Sequence, residues 1–414
     1  MRTLLGATLL VTSLVLSASY LSGDQRLPES AVSATSTSAV ADEASQDCQQ
    51  LAEPTFDSEL QRGDCWREKG KSEQAVEAYQ EALSRKKEGS RALFLALGLA
   101  YEDLGNVPAS LDAFIAASRF PPPDAELLYH RGIAKEQLGD YQGAMSDFRA
   151  AVQLNPQHGR AHRNIGFILM QQDRSEDAVA ELKEAIRIDP SDWKANLNLG
   201  SAYGNIYESL VKELQQIPAM NPPKPGETDP MAQRQLELIK QYHSFDYRQQ
   251  ALVAYREAAR LKPDESLTWY ALAAHAEEMQ KHGEAIDAFR HAAELSPSDP
   301  KVFRGLANAL GSAGQHKEAH DVAEKALALG GWDPWTLRYL ATLEVQLGDY
   351  ARAEGRYKEI LQADPDEPYA HLGLARIYRR QQKTSESLKE LKIAQRLRPD
   401  QSQKFESMLE HDEQ

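Results

Sequence analysis

Prolines recur through this chain on a fixed step, and that step leaves little freedom in the fold. Pro122, Pro156 and Pro190 are 34 residues apart, Pro263 and Pro297 are 34 apart, and Pro365 and Pro399 are 34 apart. Pro297 to Pro365 is two such steps, with Gly331 at the midpoint. Two further ladders follow the same register: Ala144, Ala178, Ala251, Ala285, Ala319 and Ala353, and Gly63, Gly98, Gly132, Gly166 and Gly200. A repeat of this length is one supersecondary unit that cannot bury its apolar face alone, so units must stack on their neighbours.

The unit is clearest between Arg131 and Pro156 and reads as two short amphipathic helices packed back to back. Gly132 stands where a side chain would block the facing helix, and Leu138-Gly139-Asp140-Tyr141 makes the turn. Ala144, Phe148 and Ala151, spaced by four and three, fall on one helical face. Asn155-Pro156 ends the second helix, because proline lacks an N–H and disfavours helical geometry in the residue before it.

This order of small, aromatic, small and proline positions resembles the tetratricopeptide repeat family. The resemblance spans about Phe56 to Pro399, with nine units starting near Phe56, Arg91, Ala125, Gly159, Trp193, Ser266, Pro300, Pro334 and Pro368. It implies an all-α fold, a right-handed α-solenoid of about nine helix–turn–helix repeats closed by a C-terminal capping helix over 400–414 that presents Phe405 and Met408 on one side. It implies almost nothing about chemistry, since function resides in sites rather than folds.

One unit is longer than the rest. Pro190 to Pro263 is 73 residues, 34 plus an insertion of 39 at about 205–249. Apolar stripes through Ile206, Leu210, Leu214 and Ile217, and through Leu236, Ile239, Tyr242 and Phe245, predict that both helices of the fifth repeat run on as a hairpin. Its tip would be the proline-rich stretch Pro218–Pro230.

Residues 1–23 read as an export signal or an uncleaved membrane anchor: Arg2, then apolar Leu4 to Leu16, then the small run Ser17-Ala18-Ser19. Either places the repeats outside the cytoplasm, periplasmic or secreted, with membrane contact only through that segment. Residues 24–55, rich in Ser, Ala and Thr, read as a flexible linker. The chain has two cysteines, Cys48 and Cys65, which in an oxidising compartment would form a disulfide tying the pre-repeat segment to the first helix. A net charge of −15 argues against general nucleic-acid binding.

The sequence carries no metal-ligand spacing, nucleophile elbow or glycine-rich phosphate loop, so neither catalysis nor a cofactor is expected. His316 and His320, four apart, fall on one helix face, but with no third ligand near them in sequence they read as a solvated face. In proteins of this family the binding surface comes mainly from first helices. By register the resemblance places Tyr129, Arg163, Asn164, Lys194, Asn198, Tyr270, Arg304, Asn308, Arg338, Arg376 and Arg379 on it, a basic lining in an acidic protein. Arginine there can fork onto carboxylates, asparagine can pair with an extended backbone, and tyrosine can stack.

Asn164 and Lys194 fall where chaperone-binding members carry a carboxylate clamp. Tyr129, Ile133 and Asn198 replace its remaining residues, which puts chaperone tails in doubt. The expected function is a non-catalytic protein-interaction scaffold of the bacterial envelope that holds an acidic or extended partner segment. The alternative is an accessory factor for anionic polysaccharide export or assembly.

Overall fold

The computed structural model describes residues 48, 54–122, 124–216 and 246–410, with Gln215, Gln216 and Glu410 described by their backbone only. The export segment, most of the linker, and the tip and returning arm of the predicted hairpin lie outside the described residues.

The described residues form two compact units divided between Ala251 and Leu252. In the first, helices alternate as α1 (Phe56–Glu68), α2 (Ser72–Arg85), α3 (Arg91–Asp103), α4 (Val107–Ala117), α5 (Ala125–Gln137), α6 (Tyr141–Leu154), α7 (Gly159–Gln171), α8 (Ser175–Ile188) and α9 (Trp193–Gln216). Each packs on the next. The helix α10 (Tyr247–Leu261) carries the division between units. The second unit continues with α11 (Ser266–Glu278), α12 (His282–Leu295), α13 (Pro300–Ser312), α14 (His316–Gly330), α15 (Pro334–Gln346), α16 (Tyr350–Ala363), α17 (Pro368–Arg380) and α18 (Thr384–Leu397). A short 3-10 turn (Pro399–Gln401) then leads to α19 (Ser402–Glu410). First helices thus begin at the nine residues that the 34-residue period assigns, and the fold class is the expected one.

Within a pair, the small residue of the first helix admits the aromatic ring of the second. A methyl group added at Gly98 would lie 2.4 Å from the Phe114 ring, and one at Gly132 would lie 2.6 Å from the Phe148 ring. Both rings are fully buried. The turn between paired helices needs a left-handed residue: Gly139 and Gly348 supply it at φ 82°, while Asp173, Gln280 and Gln382 adopt it at about 60° despite their side chains.

Helix starts are capped by short polar side chains. Asp124, Asp192, Asp299 and Asp333 each accept a backbone N–H of the helix that follows, at 2.9–3.0 Å. Thr55 and Ser58 add a reciprocal capping box at α1.

Cys48 and Cys65 are disulfide-bonded with Cα atoms 5.8 Å apart. Cys48 is fully buried in the same apolar cluster as Trp66, Tyr79 and Leu93, so the bond holds this residue in the core of the first pairs. The long helix α9 has 24 residues where every other first helix has 13. At the other end, α19 buries Phe405 and Leu409 against Leu372, Ala375, Leu391 and Ala394. Met408, expected beside Phe405, instead points away and is exposed.

Candidate functional site

The residues read as a binding lining do not share one environment. In the first unit Tyr129, Arg163, Asn164 and Asn198 are buried, which corrects the expectation that they line an open surface. For Arg163 and Asn164 the cause lies in α7, where every residue from Ala161 to Met170 is buried. Ile165, Phe167, Ile168, Leu169 and Met170 make that helix apolar nearly all round, and such a helix is enclosed. Neither amide atom of Asn198 nor the amide nitrogen of Asn164 has a hydrogen-bond partner among the described residues. Lys194 is half-buried over the Trp193 ring, 5.7 Å from its centroid.

The arginines are engaged by a regular device. Arg163 bonds Asp192 at 3.0 Å, Arg304 approaches Asp333 at 3.6 Å, and Arg338 bonds Glu367 at 3.2 Å. Each pair is separated by 29 residues, and each acid caps the next first helix. Three of the arginines of the lining are therefore neutralised in pairs and do not form a free basic stripe. That 29-residue spacing was present in the sequence and is the signal that would have revealed the pairing.

In the second unit these pairs are joined by aromatic rings. The Arg304 guanidinium lies 5.5 Å over Trp335, and that of Arg338 lies 5.3 Å over Tyr369, so two equivalent rungs of arginine, acid and ring stand one repeat apart. The Trp335 and Tyr339 rings are nearly parallel, at 13° with centroids 5.4 Å apart. The Tyr339 hydroxyl donates to the Ala307 carbonyl at 2.8 Å. Burial, with Glu277 nearby, pushes the Tyr339 hydroxyl up to about 12, so it stays a neutral donor.

Two adjoining clefts open on this surface. One, of about 300 Å³, lies between Trp332, Pro334, Trp335 and Ile360. The other, of about 260 Å³, is bounded by Arg338, Tyr357, Tyr369 and Arg376 and reaches Met408 of α19. The structure thus brings Arg304, Arg338 and Arg376 toward one aromatic surface. Tyr270 packs edge-on against Phe289, and its burial raises its hydroxyl pKa. Asn308 and Arg379 are half-buried and line neither cleft. Trp332, Tyr339, Tyr369 and Met408 were not anticipated as site residues, and Met408 was read only as part of the cap.

A tetratricopeptide repeat family model matches residues 60–126, 95–159, 248–300 and 340–402, and a second model of the same repeat matches 137–203. The chain belongs to the tetratricopeptide repeat family. Among solved structures it is similar to MamA 41-end from Desulfovibrio magneticus, at 22% identity over 50% of this chain and 96% of that one, TM-score 0.36. It is also similar to a tetratricopeptide repeat protein from Parabacteroides merdae, at 13% identity over 70% and 98%, TM-score 0.44. A third similarity is to yeast Tom70, at 14% identity over 86% and 95%, TM-score 0.34. No curated protein matches the chain significantly in sequence.

Proposed function

We propose that this chain is a non-catalytic protein-interaction scaffold that takes an extended partner segment on the Trp335–Arg338–Tyr369 surface of its second unit. Proteins of this family are generally scaffolds of that kind. The observation that carries the reading is the doubled rung of arginine, acid and ring, because its period matches the helix pairs and so can accept a chain laid across them. A carboxylate of the partner would exchange with Glu367 or Asp333 for a guanidinium, while the ring faces take apolar or proline side chains. An acidic partner fits that exchange.

The disulfide between Cys48 and Cys65 supports an exported, periplasmic or secreted location, where such bonds persist. An anionic polysaccharide, the second reading, would use the same guanidinium groups and stack a sugar on Trp335.

The test is fluorescence anisotropy with labelled acidic extended peptides and, separately, anionic oligosaccharides. The proposal expects saturable peptide binding that weakens by about tenfold or more in Trp335→Ala and in Arg338→Glu, a loss of about 1.4 kcal/mol or more. Peptide binding that neither substitution alters, or a preference for the oligosaccharide, contradicts it.

A further inference from the structure

We infer that His320, Glu324 and Glu344 form a binding site for a divalent transition metal of the zinc type. The three come from two helices: His320 and Glu324 lie one turn apart on α14, and Glu344 projects from α15. Their ligand atoms all fall within 4.8 Å of one another. His320 Nε2 is 3.2 Å from Glu344 Oε1 and 3.9 Å from Glu324 Oε1. A zinc ion holds imidazole nitrogen and carboxylate oxygen at about 2.0–2.2 Å, which puts neighbouring ligand atoms about 3.4 Å apart in a tetrahedron. The three atoms therefore need to move by only a few tenths of an ångström at most edges to share one ion. One imidazole and two carboxylates are also a donor set that zinc accepts.

A second observation points to a ligand. Glu344 is 1% exposed, and its Oε2 has no hydrogen-bond partner among the described residues. A carboxylate oxygen enclosed without a partner is costly, and a cation beside it removes the cost. Charge agrees. Among the described residues Glu324 and Glu344 share one guanidinium: Arg356 of α16 bonds Glu344 Oε1 at 2.8 Å through Nε and reaches Glu324 through Nη2. With His320 neutral that leaves one negative charge in excess, and Asp321, 3.7 Å from His320 Nδ1, adds another. Arg356 is thus a partial stand-in for a cation, and a metal must compete with it.

That competition gives the site a signature that a plain ion-pair cluster lacks. Removing a ligand weakens metal binding, whereas removing Arg356 strengthens it. The bound ion would clip α14 to α15 and free Arg356, stiffening the junction of the seventh and eighth repeats. This inference does not depend on the peptide reading.

The experiment is isothermal titration of the full chain with zinc chloride, after chelator treatment and desalting, with circular dichroism of every variant to check folding. The site predicts saturable binding of about one equivalent. It predicts affinity reduced about tenfold or more in both Glu344→Gln and His320→Gln, and increased in Arg356→Gln. No saturable binding by either the wild type or Arg356→Gln overturns the inference. So does zinc binding that Glu344→Gln and His320→Gln both leave unchanged, which would place the ion on other histidines.

Discussion

At Gly132 the Phe148 ring leaves no room for a methyl group, whereas at Gly204, in the middle of α9, nothing lies within 4 Å of one. The same substitution should act in opposite directions at these positions. Gly132→Ala overpacks a closed interface and should cost about 1–3 kcal/mol. Gly204→Ala restricts the unfolded chain without a clash and should add about 0.4–1 kcal/mol. Urea denaturation of the two variants against the parent checks both signs.

His158 makes a pH-dependent contribution at the start of α7. Its Nδ1 accepts the Ala161 N–H at 3.2 Å and its ring packs on Tyr129, so the fold uses the neutral imidazole. Burial pushes its pKa below the ordinary value against the opposing pull of Glu126. The unfolded chain then takes up a proton that the fold resists. His158 therefore contributes fully above the unfolded value of about 6.5, and its contribution falls as pH drops through that value. Thermal melts from about pH 8 to about pH 5 should show the parent losing more stability than His158→Asn, which keeps a capping side chain but does not titrate.

For the helices, the sequence was legible wherever the cause was local. Caps at Asp124, Asp192, Asp299 and Asp333, prolines at first helical positions, and the small–aromatic alternation set the starts and pairings, because each acts within one repeat. The enclosure of α7 was not legible from register, since register says which face a residue takes and not how many faces are covered. The end of the array lies between these cases. A closing helix was expected, but Phe405 and Leu409, four apart, make the buried stripe, while Met408 turns toward the aromatic cleft. Phe405 is fully buried, so Phe405→Ala should cost about 3–5 kcal/mol and expose the apolar side of α17 and α18. A lower melting temperature with increased binding of a hydrophobic dye is the expected readout, and an unchanged melt would show that α19 does not cap the array.

For the molecule as a whole, the 34-residue period announces a stack of helix pairs but not which side chains of neighbouring repeats meet. Arg338 finds Glu367 across 29 residues and Arg356 finds Glu344 across 12, and such pairings depend on how one pair sits on the next. The 34-residue register alone thus suggests a basic lining, whereas the recurrent 29-residue spacing of arginine to acid carries the pairing, and paired charges among rings are what the packing makes of it.

The proposed function requires that this ring-and-arginine surface, and not the rest of the second unit, receive an extended protein segment. The most direct measurement is site-specific photocrosslinking from a benzoylphenylalanine placed at Met408, which lines the cleft, or at Leu388, exposed on α18 and lining neither cleft. Mass spectrometry then identifies the crosslinked species. The account predicts a discrete protein partner captured through one short segment from position 408, with capture lost on adding Arg338→Glu and little from position 388. Equal capture from both positions, or capture at 408 that Arg338→Glu leaves intact, would contradict it.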